Sequence, residues 1–273
     1  MNADVWINGN KLGSHPYGYT SFGYDLTPHL RPHGENVLAV EVKNEGANSR
    51  WYSGSGIYRH VRLIRTGAVH VPVWGTYITT QDIPDRKTVV RVRTQVANTS
   101  ASRAAVGLRT KILAANGRVV ASDEASEDVD AGGKHEFDEQ FKVADPARWS
   151  LDTPNLYTAV SEVMIQRQVV DAVTERFGIR TISFDAKEGF KLNGRPMLLK
   201  GSCMHHDNGP LGAAAYDDAE YRRVRLTKAA GFNAIRSAHN PPSETLLKAC
   251  DELGVLVIDE AFDVWKNGKN GGD

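Results

Sequence analysis

Apolar and polar positions change rhythm along this chain, and each rhythm predicts a different architecture. The first stretch alternates with a period of two, the mark of half-buried strands. VWINGNKLG (Val5 to Gly13) reads as a strand, a turn at Asn8-Gly9-Asn10 and a second strand. NVLAVEVKN (Asn36 to Asn44) sets Val37, Ala39 and Glu41 against Leu38, Val40 and Val42, and predicts a strand buried on at least one face. IYRHVRLIR (Ile57 to Arg65) is predicted as another. From about Gly67 to Ile182 strand candidates recur at sandwich-like spacing: VHVPVWGTYITT, TVVRVRTQVAN, AAVGLRTKILA, RVVASDE, HEFDEQFKV, LYTAVSEVMIQ and VVDAVTERFGI. Asn116-Gly117 lies between two of them as a hairpin signal. About seven strands over roughly 115 residues predict an immunoglobulin-like sandwich, without the Cys-Trp-Cys pattern of antibody domains.

After residue 182 the rhythm changes. FKLNGRPMLLKG (Phe190 to Gly201) predicts a hairpin at Asn193-Gly194 running into an apolar strand, Met197 to Gly201. Asp217 to Ala230 has helical spacing, Asn233 to His239 reads as a strand, Ser243 to Leu253 as a helix and Val255 to Ala261 as a strand. Alternation of this kind predicts parallel strands joined by crossover helices. Polar groups collect where the strands end: His205, His206 and Asp207, then Arg236, His239 and Asn240, then Asp259, Glu260 and Asp263. In a (β/α)8 barrel those ends form the catalytic face, and such a barrel needs eight strands where this chain shows three. Arg236 ends a strand expected to be buried, so its guanidinium needs a partner.

Composition narrows the class of protein. A chain of 273 residues accommodates two or three domains. Lys plus Arg and Asp plus Glu are both 33, so the net charge is zero, which argues against a nucleic-acid partner. No apolar run approaches the roughly 18 residues of a membrane span, so no membrane partner is expected. No signal-peptide pattern follows Met1, and the compartment stays open. Cys203 and Cys250 form neither a disulfide framework nor a CxxC motif and are read as reduced, buried thiols.

Several strings together resemble glycoside hydrolase family 2, the family of β-galactosidases, β-glucuronidases and β-mannosidases. VWINGNKLGSHPYGYTSFGYDLTPHL and RWYSGSGIYRHVRL resemble its sugar-binding sandwich. WSLDTPNLYTAV resembles its immunoglobulin-like domain. FGIRTISFD, FKLNGRPMLLKGSCMHHD and NAIRSAHNPPSETLLKACDELGVLVIDEAFDVW resemble the entry to the barrel and its first three strands. The resemblance implies a multidomain chain. Residues 1–66 are the C-terminal part of a β-sandwich (a partial jelly roll), 67–182 an immunoglobulin-like sandwich, and 183–273 the first three βα units of a TIM (β/α)8 barrel.

It also implies retaining hydrolysis by two glutamates about 5–5.5 Å apart. In the family these follow barrel strand four and lie on strand seven, so no catalytic residue is expected within this chain. Asn44-Glu45 mimics the family's Asn-Glu pair only superficially. What the resemblance assigns here is one side of the sugar pocket. His205 and Asp207 match the family's His-x-Asp segment, with His206 as a spacer pointing away. Arg236 matches an arginine that props the catalytic carboxylates, and His239 a sugar-contacting or transition-state histidine. Glu260 is a supporting carboxylate paired with an arginine such as Arg236, and Asn240 a supporting turn residue before Pro241-Pro242. Trp51, in the Arg50-Trp51-Tyr52 loop, has two roles open to it, stacking on a sugar or packing a domain interface. Val264 and Lys266 stand where some β-galactosidases carry magnesium ligands, so neither a metal nor a cofactor is expected.

The implied partner is an oligosaccharide or glycoside, and a homo-oligomer is compatible with the full-length parent. Two functions follow. One is a piece of an exo-acting glycosidase cleaving terminal β-glycosides, β-galactosides first. This piece is expected to be inactive alone, cut inside a domain at both ends, with residues 183–273 weakly stable in isolation. The other is a non-catalytic carbohydrate-binding or interaction module left from such an enzyme. RSAHNP and VIDEAFDVW favour the first, since a binding module has no use for them.

Overall fold

The structure is a computed structural model that describes residues 1–45, 55–84, 86–214 and 216–263. The chain opens with a small antiparallel sheet of β1 (Ala3–Ile7), β2 (Asn10–His15) and β3 (Leu38–Val42), in the order β2-β1-β3. The turn between β1 and β2 needs two consecutive residues at positive φ, which Asn8 (52°) and Gly9 (83°) supply. Val5 and Ile7 are buried beneath it. β3 forms where its alternation predicts, but Leu38 to Glu41 are exposed rather than buried on one face. Residues 57–65 depart further from expectation and form no strand. Alternation prepares a segment to lie in a sheet, yet a strand also needs a backbone partner. Among the described residues nothing pairs with 57–65, and Val61 and Leu63 are exposed.

A two-sheet sandwich follows, built from β4 (Val69–His70), β5 (Thr76–Ile83), β6 (Lys87–Asn98), β7 (Ala104–Leu113), β8 (Val119–Val129), β9 (Lys134–Ala144), β10 (Tyr157–Ile165) and β11 (Gln168–Phe177). One sheet runs β11-β10-β7-β8. In the other, β6 pairs with β4 and β5 along one edge and with β9 along the other. The VHVPVWGTYITT run yields two strands instead of one. Pro72 has no N–H for a ladder, and the chain reverses there through Trp74 (φ 59°) and the Gly75 N–H to Pro72 carbonyl bond. Val90, Val92 and Val96 of β6 interleave with Val106, Leu108 and Ile112 of β7, all fully buried.

A polar layer crosses this core. Thr110 donates to Glu139 Oε2 at 2.6 Å, and Ser161 lies 3.2 Å from Thr110 and 3.5 Å from Thr94. Glu139, only 5 % exposed between Phe137 and Phe141, leaves its other oxygen without a protein partner. Burial pushes its pKa up to about 7.

The last part begins with a hairpin of β12 (Ile182–Asp185), β13 (Gly189–Leu192) and β14 (Arg195–Pro196). A parallel sheet follows, with β15 (Gly201–Met204), α1 (Asp217–Ala229), β16 (Ala234–Ser237), α2 (Glu244–Leu253) and β17 (Leu256–Asp259) in spatial order β15-β16-β17. β15 starts four residues later than the apolar run predicts, because Met197 is committed to the hairpin through its N–H to Phe190 O. Val224 of α1 and Leu246, Ala249 and Cys250 of α2 pack on Ile235 of β16. Ser243 caps α2 by accepting Leu246 N–H at 3.1 Å. Cys250 is buried as expected, its thiol pushed up to about 12 by burial; Cys203, contrary to expectation, is exposed.

Sandwich and parallel sheet meet at Trp149, which is 2 % exposed and packs with Leu192, Ala234 and Leu256. Gly254 closes α2 at φ 71°, and a Cβ there would lie 2.3 Å from the Leu151 carbonyl oxygen. Gly254→Ala therefore combines left-handed strain with a steric clash. It is expected to cost about 2 kcal/mol in urea denaturation; an unchanged midpoint would contradict this packing.

Candidate functional site

Three parallel strands pointing the same way bring their C-terminal loops to one edge. In register across the sheet, Cys203, Arg236 and Ile258 are neighbours. They lie on the face opposite Ile235 and Val257, which pack towards the helices. Arg236 is thus not buried, as the apolar strand suggested, but keeps 43 % of its side chain accessible on the open face. Its guanidinium is nonetheless engaged. Nε donates to Glu260 Oε1, Nη1 reaches Cys203 Sγ at 3.2 Å, and Nη2 lies 3.3 Å from His239 Nδ1.

His239 Nδ1 lies 2.8 Å from Glu260 Oε2. One ring nitrogen cannot both donate to a carboxylate and accept from a guanidinium. The charge-assisted, shorter contact to Glu260 takes the proton, so His239 is protonated at Nδ1 and keeps Nε2 for a ligand. Glu260 then has one oxygen held by Arg236 and the other by His239. Burial alone raises its pKa, but the bonds from His239 and Arg236 outweigh burial and hold it below its ordinary value. A carboxylate held ionised in this way suits the support of cations and is a poor proton donor. His205 stands edge-to-face with His239, ring centroids 5.5 Å apart at 81°.

The structure thus joins Arg236, His239, Glu260 and His205 in one cluster and adds Cys203. Asp207 is exposed, and its Oδ1 accepts the Gly209 N–H at 3.0 Å, a local turn. Asn240 is 8 % exposed behind the cluster. Trp51 lies outside the described residues, as do Val264 and Lys266. Among the described residues no group of three or more His, Cys, Asp or Glu side chains converges to hold a metal, and no helix is long and apolar enough to cross a membrane.

Behind the cluster lies a layer that sequence reasoning missed. The Tyr17 hydroxyl reaches the Asn240 side chain, and Ala261 O at 3.0 Å. Arg59 donates to Tyr19 O at 2.7 Å and Pro241 O at 2.9 Å, with Nη2 3.4 Å from His206 Nδ1. His206 sits in this layer, against Arg59 and Tyr19. It is half-buried, 4.7 Å from the Tyr19 ring, and burial beside Arg59 pushes its pKa down to about 4. Burial likewise raises Tyr58, whose hydroxyl donates to Gly18 O, to about 12. The available signal was Tyr17-Gly18-Tyr19, closely spaced aromatics in a segment with no strand pattern. An open cleft of about 360 Å³ beside this layer is lined by Tyr19, Arg59, Arg62, Trp74, Pro241 and Glu244. Arg236, His239 and Glu260 do not line it, so this cleft and the cluster are separate places.

Comparison with known proteins covers both the sandwich and the parallel sheet. Residues 69–180 match Glycosyl hydrolases family 2, and residues 185–268 match Glycosyl hydrolases family 2, TIM barrel domain. A β-galactosidase of Bacteroides ovatus is 47 % identical over 100 % of this chain and 32 % of its own length. A putative β-glucuronidase of Formosa agariphila is 37 % identical over 97 % of this chain and 25 % of its own. Among solved structures, a glycosyl hydrolase family 2 member from Bacteroides cellulosilyticus is 49 % identical with a TM-score of 0.93, covering 97 % of this chain and 36 % of that one. A Bacteroides uniformis β-glucuronidase is 30 % identical with a TM-score of 0.91, covering 100 % and 34 %. The chain spans between a quarter and a third of the length of these two curated relatives.

Proposed function

The chain belongs to glycoside hydrolase family 2, and from that premise we propose that it forms one wall of the sugar pocket of a retaining, exo-acting glycosidase. Its fold combines part of a β-sandwich, an immunoglobulin-like sandwich and three βα units of a TIM barrel. We place their bounds at 1–66, 67–182 and 183–273. The observation that carries the proposal is the Arg236–Glu260–His239 cluster at the strand-end edge.

Its chemistry fits recognition rather than bond cleavage by these residues. Arg236 presents fixed positive charge on an open face, which lowers the pKa of any carboxylate brought beside it. His239 has its Nδ1 proton committed to Glu260 and offers Nε2 to a sugar hydroxyl. His205 borders the same ring, and Asp207 supplies a carboxylate on the following turn. The reacting pair of glutamates is assigned to barrel strands four and seven, and the residues here hold the sugar against it. Terminal β-galactosides are the favoured substrates, supported by the 47 % identical β-galactosidase; β-glucuronides are the competing class, since other relatives carry that name.

The full product of the gene encoding this chain, assayed with aryl β-galactoside, β-glucuronide and β-mannoside, tests the reading. Hydrolysis of the galactoside above the others is expected. Glu260→Gln removes the charge that Arg236 and His239 share, and is expected to lower kcat/KM roughly tenfold, the scale of one charge-assisted hydrogen bond. No hydrolysis of any of the three would sink the glycosidase reading. Sugar binding without hydrolysis would favour the binding module instead.

A further inference from the structure

We infer that Tyr17 is a positioning residue whose hydroxyl ties the loop after β16 to the loop after β17, and so holds His239 against Glu260. The inference rests on the reading of that pair as part of the sugar pocket. Tyr17 sits in the loop after β2, far from the barrel strands in sequence. Its hydroxyl contacts Asn240, 223 residues on, and the carbonyl of Ala261, 244 residues on. Asn240 directly follows His239, and Ala261 directly follows Glu260. One phenol therefore bridges the two peptide segments whose side chains make the 2.8 Å His239–Glu260 contact.

Donor and acceptor counting gives the bridge a direction. A phenol has one O–H to donate, and the Ala261 carbonyl only accepts. The hydroxyl faces two acceptors, Asn240 Oδ1, and Ala261 O at 3.0 Å, so its single proton is shared between them and both bonds run outwards from Tyr17. Asn240, buried at 8 % exposure, cannot replace that partner with bulk water. Its own carbonyl is held by Ser237 Oγ at 2.6 Å, so the segment is pinned from both sides. Burial raises the phenol's pKa above its ordinary value, the neighbouring Tyr19 and Tyr58 adding to it, so the hydroxyl stays protonated wherever the protein works. The ring packs independently of the hydroxyl, with its centroid 5.6 Å from Tyr19. Tyr17→Phe therefore removes the bridge and keeps the packing.

The test reads His239 itself. Its ring nitrogen resonances in the 273-residue chain are assigned with His239→Gln and compared at one pH between the parent, Tyr17→Phe and Tyr58→Phe. Tyr58 donates to Gly18 O in the same layer but bridges no barrel loops. The expected result is a displacement of the His239 signals in Tyr17→Phe and none in Tyr58→Phe. Asn240→Leu, which cuts the bridge from the other side, should reproduce the displacement even where Tyr17→Phe fails to fold. Unmoved His239 signals in Tyr17→Phe, or equal displacement in both tyrosine variants, overturns the inference. In the full gene product kcat/KM for the aryl glycoside should fall about fivefold, the scale of one hydrogen bond. A full gene product that cleaves no glycoside, with the His239 displacement intact, removes the glycosidase reading and leaves the positioning role standing.

Discussion

Trp149→Ala is expected to destabilise the chain by about 3–5 kcal/mol, the range for deleting a buried indole. Several independent terms meet in that side chain. The ring is 2 % exposed and fills the space between the sandwich and Leu192, Ala234 and Leu256 of the last part. Its Nε1 donates to Asp251 O at 2.7 Å, at the end of α2, so truncation also leaves a carbonyl without its partner. Arg180 lies over the ring at 4.8 Å, a contact worth roughly 0.5–2 kcal/mol. Gly178 passes so close that a Cβ there would come within 2.8 Å of Trp149 Cβ, so the site cannot be refilled from that side. Differential scanning calorimetry should show the transition lowered by about 10 °C. Trp149→Phe, which keeps an aromatic ring but loses the donor, should fall between parent and Ala. An Ala variant within about 1 kcal/mol of the parent would mean that the junction does not couple the two parts.

The second large effect lies in the sandwich core and depends on pH. At about 1.4 kcal/mol per pH unit, the rise of Glu139 from 4.5 to about 7 corresponds to about 3 kcal/mol. The sign follows from which state releases its proton first. Below pH 4.5 Glu139 is protonated in both states and costs nothing. Between 4.5 and about 7 the unfolded chain ionises while the folded one does not, so the unfolded state binds fewer protons and stability falls as pH rises. Above about 7 the folded carboxyl ionises as well and the loss levels off. The burial of Glu139 is the largest cause, and Asp123 adds to it, while the Thr110 hydroxyl opposes it. Glu139→Gln keeps an acceptor for Thr110 and removes the titration. Urea denaturation at pH 4, 6 and 8 should therefore show variant and parent alike at pH 4 and the variant about 3 kcal/mol more stable at pH 8. Comparing the two chains cancels the carboxylates whose pKa is lowered, such as Glu162 beside Arg109 and Lys111. A difference independent of pH would show that Glu139 is solvated in the folded state.

Local signals in the sequence predicted local structure well. Asn8-Gly9, Asn116-Gly117 and Asn193-Gly194 all sit at hairpins, because their backbone preference acts within two residues. Ser243 and Gly254 bracket α2 for the same reason. Polar residues at the ends of apolar strands pointed to Arg236, His239 and Glu260, and the fold does bring these three together. What periodicity cannot supply is the partner across space. It marked 57–65 as a strand without showing that a neighbour was present, and it buried Arg236 without knowing which face of β16 lies open. Arg59 and Tyr17 escaped notice because their contacts with the parallel-sheet part lie 147 to 244 residues away. Glu139 is in phase with Phe137 and Phe141, so alternation alone places it inwards, and only its charged side chain argued for the outer face.

The bridge from Tyr17 to Asn240 and Ala261 also has a consequence in time. A ribosome adds roughly 5–20 residues per second, so the first sheet emerges some tens of seconds before the loops that secure it. During that interval Tyr17, Tyr19 and Arg59 face water, chaperones and proteases, while the sandwich behind them closes on its own strands. The earlier segment is thus anchored only by the later one. Slower translation of the stretch leading to residue 240 would lengthen its exposure without changing a single contact in the finished fold.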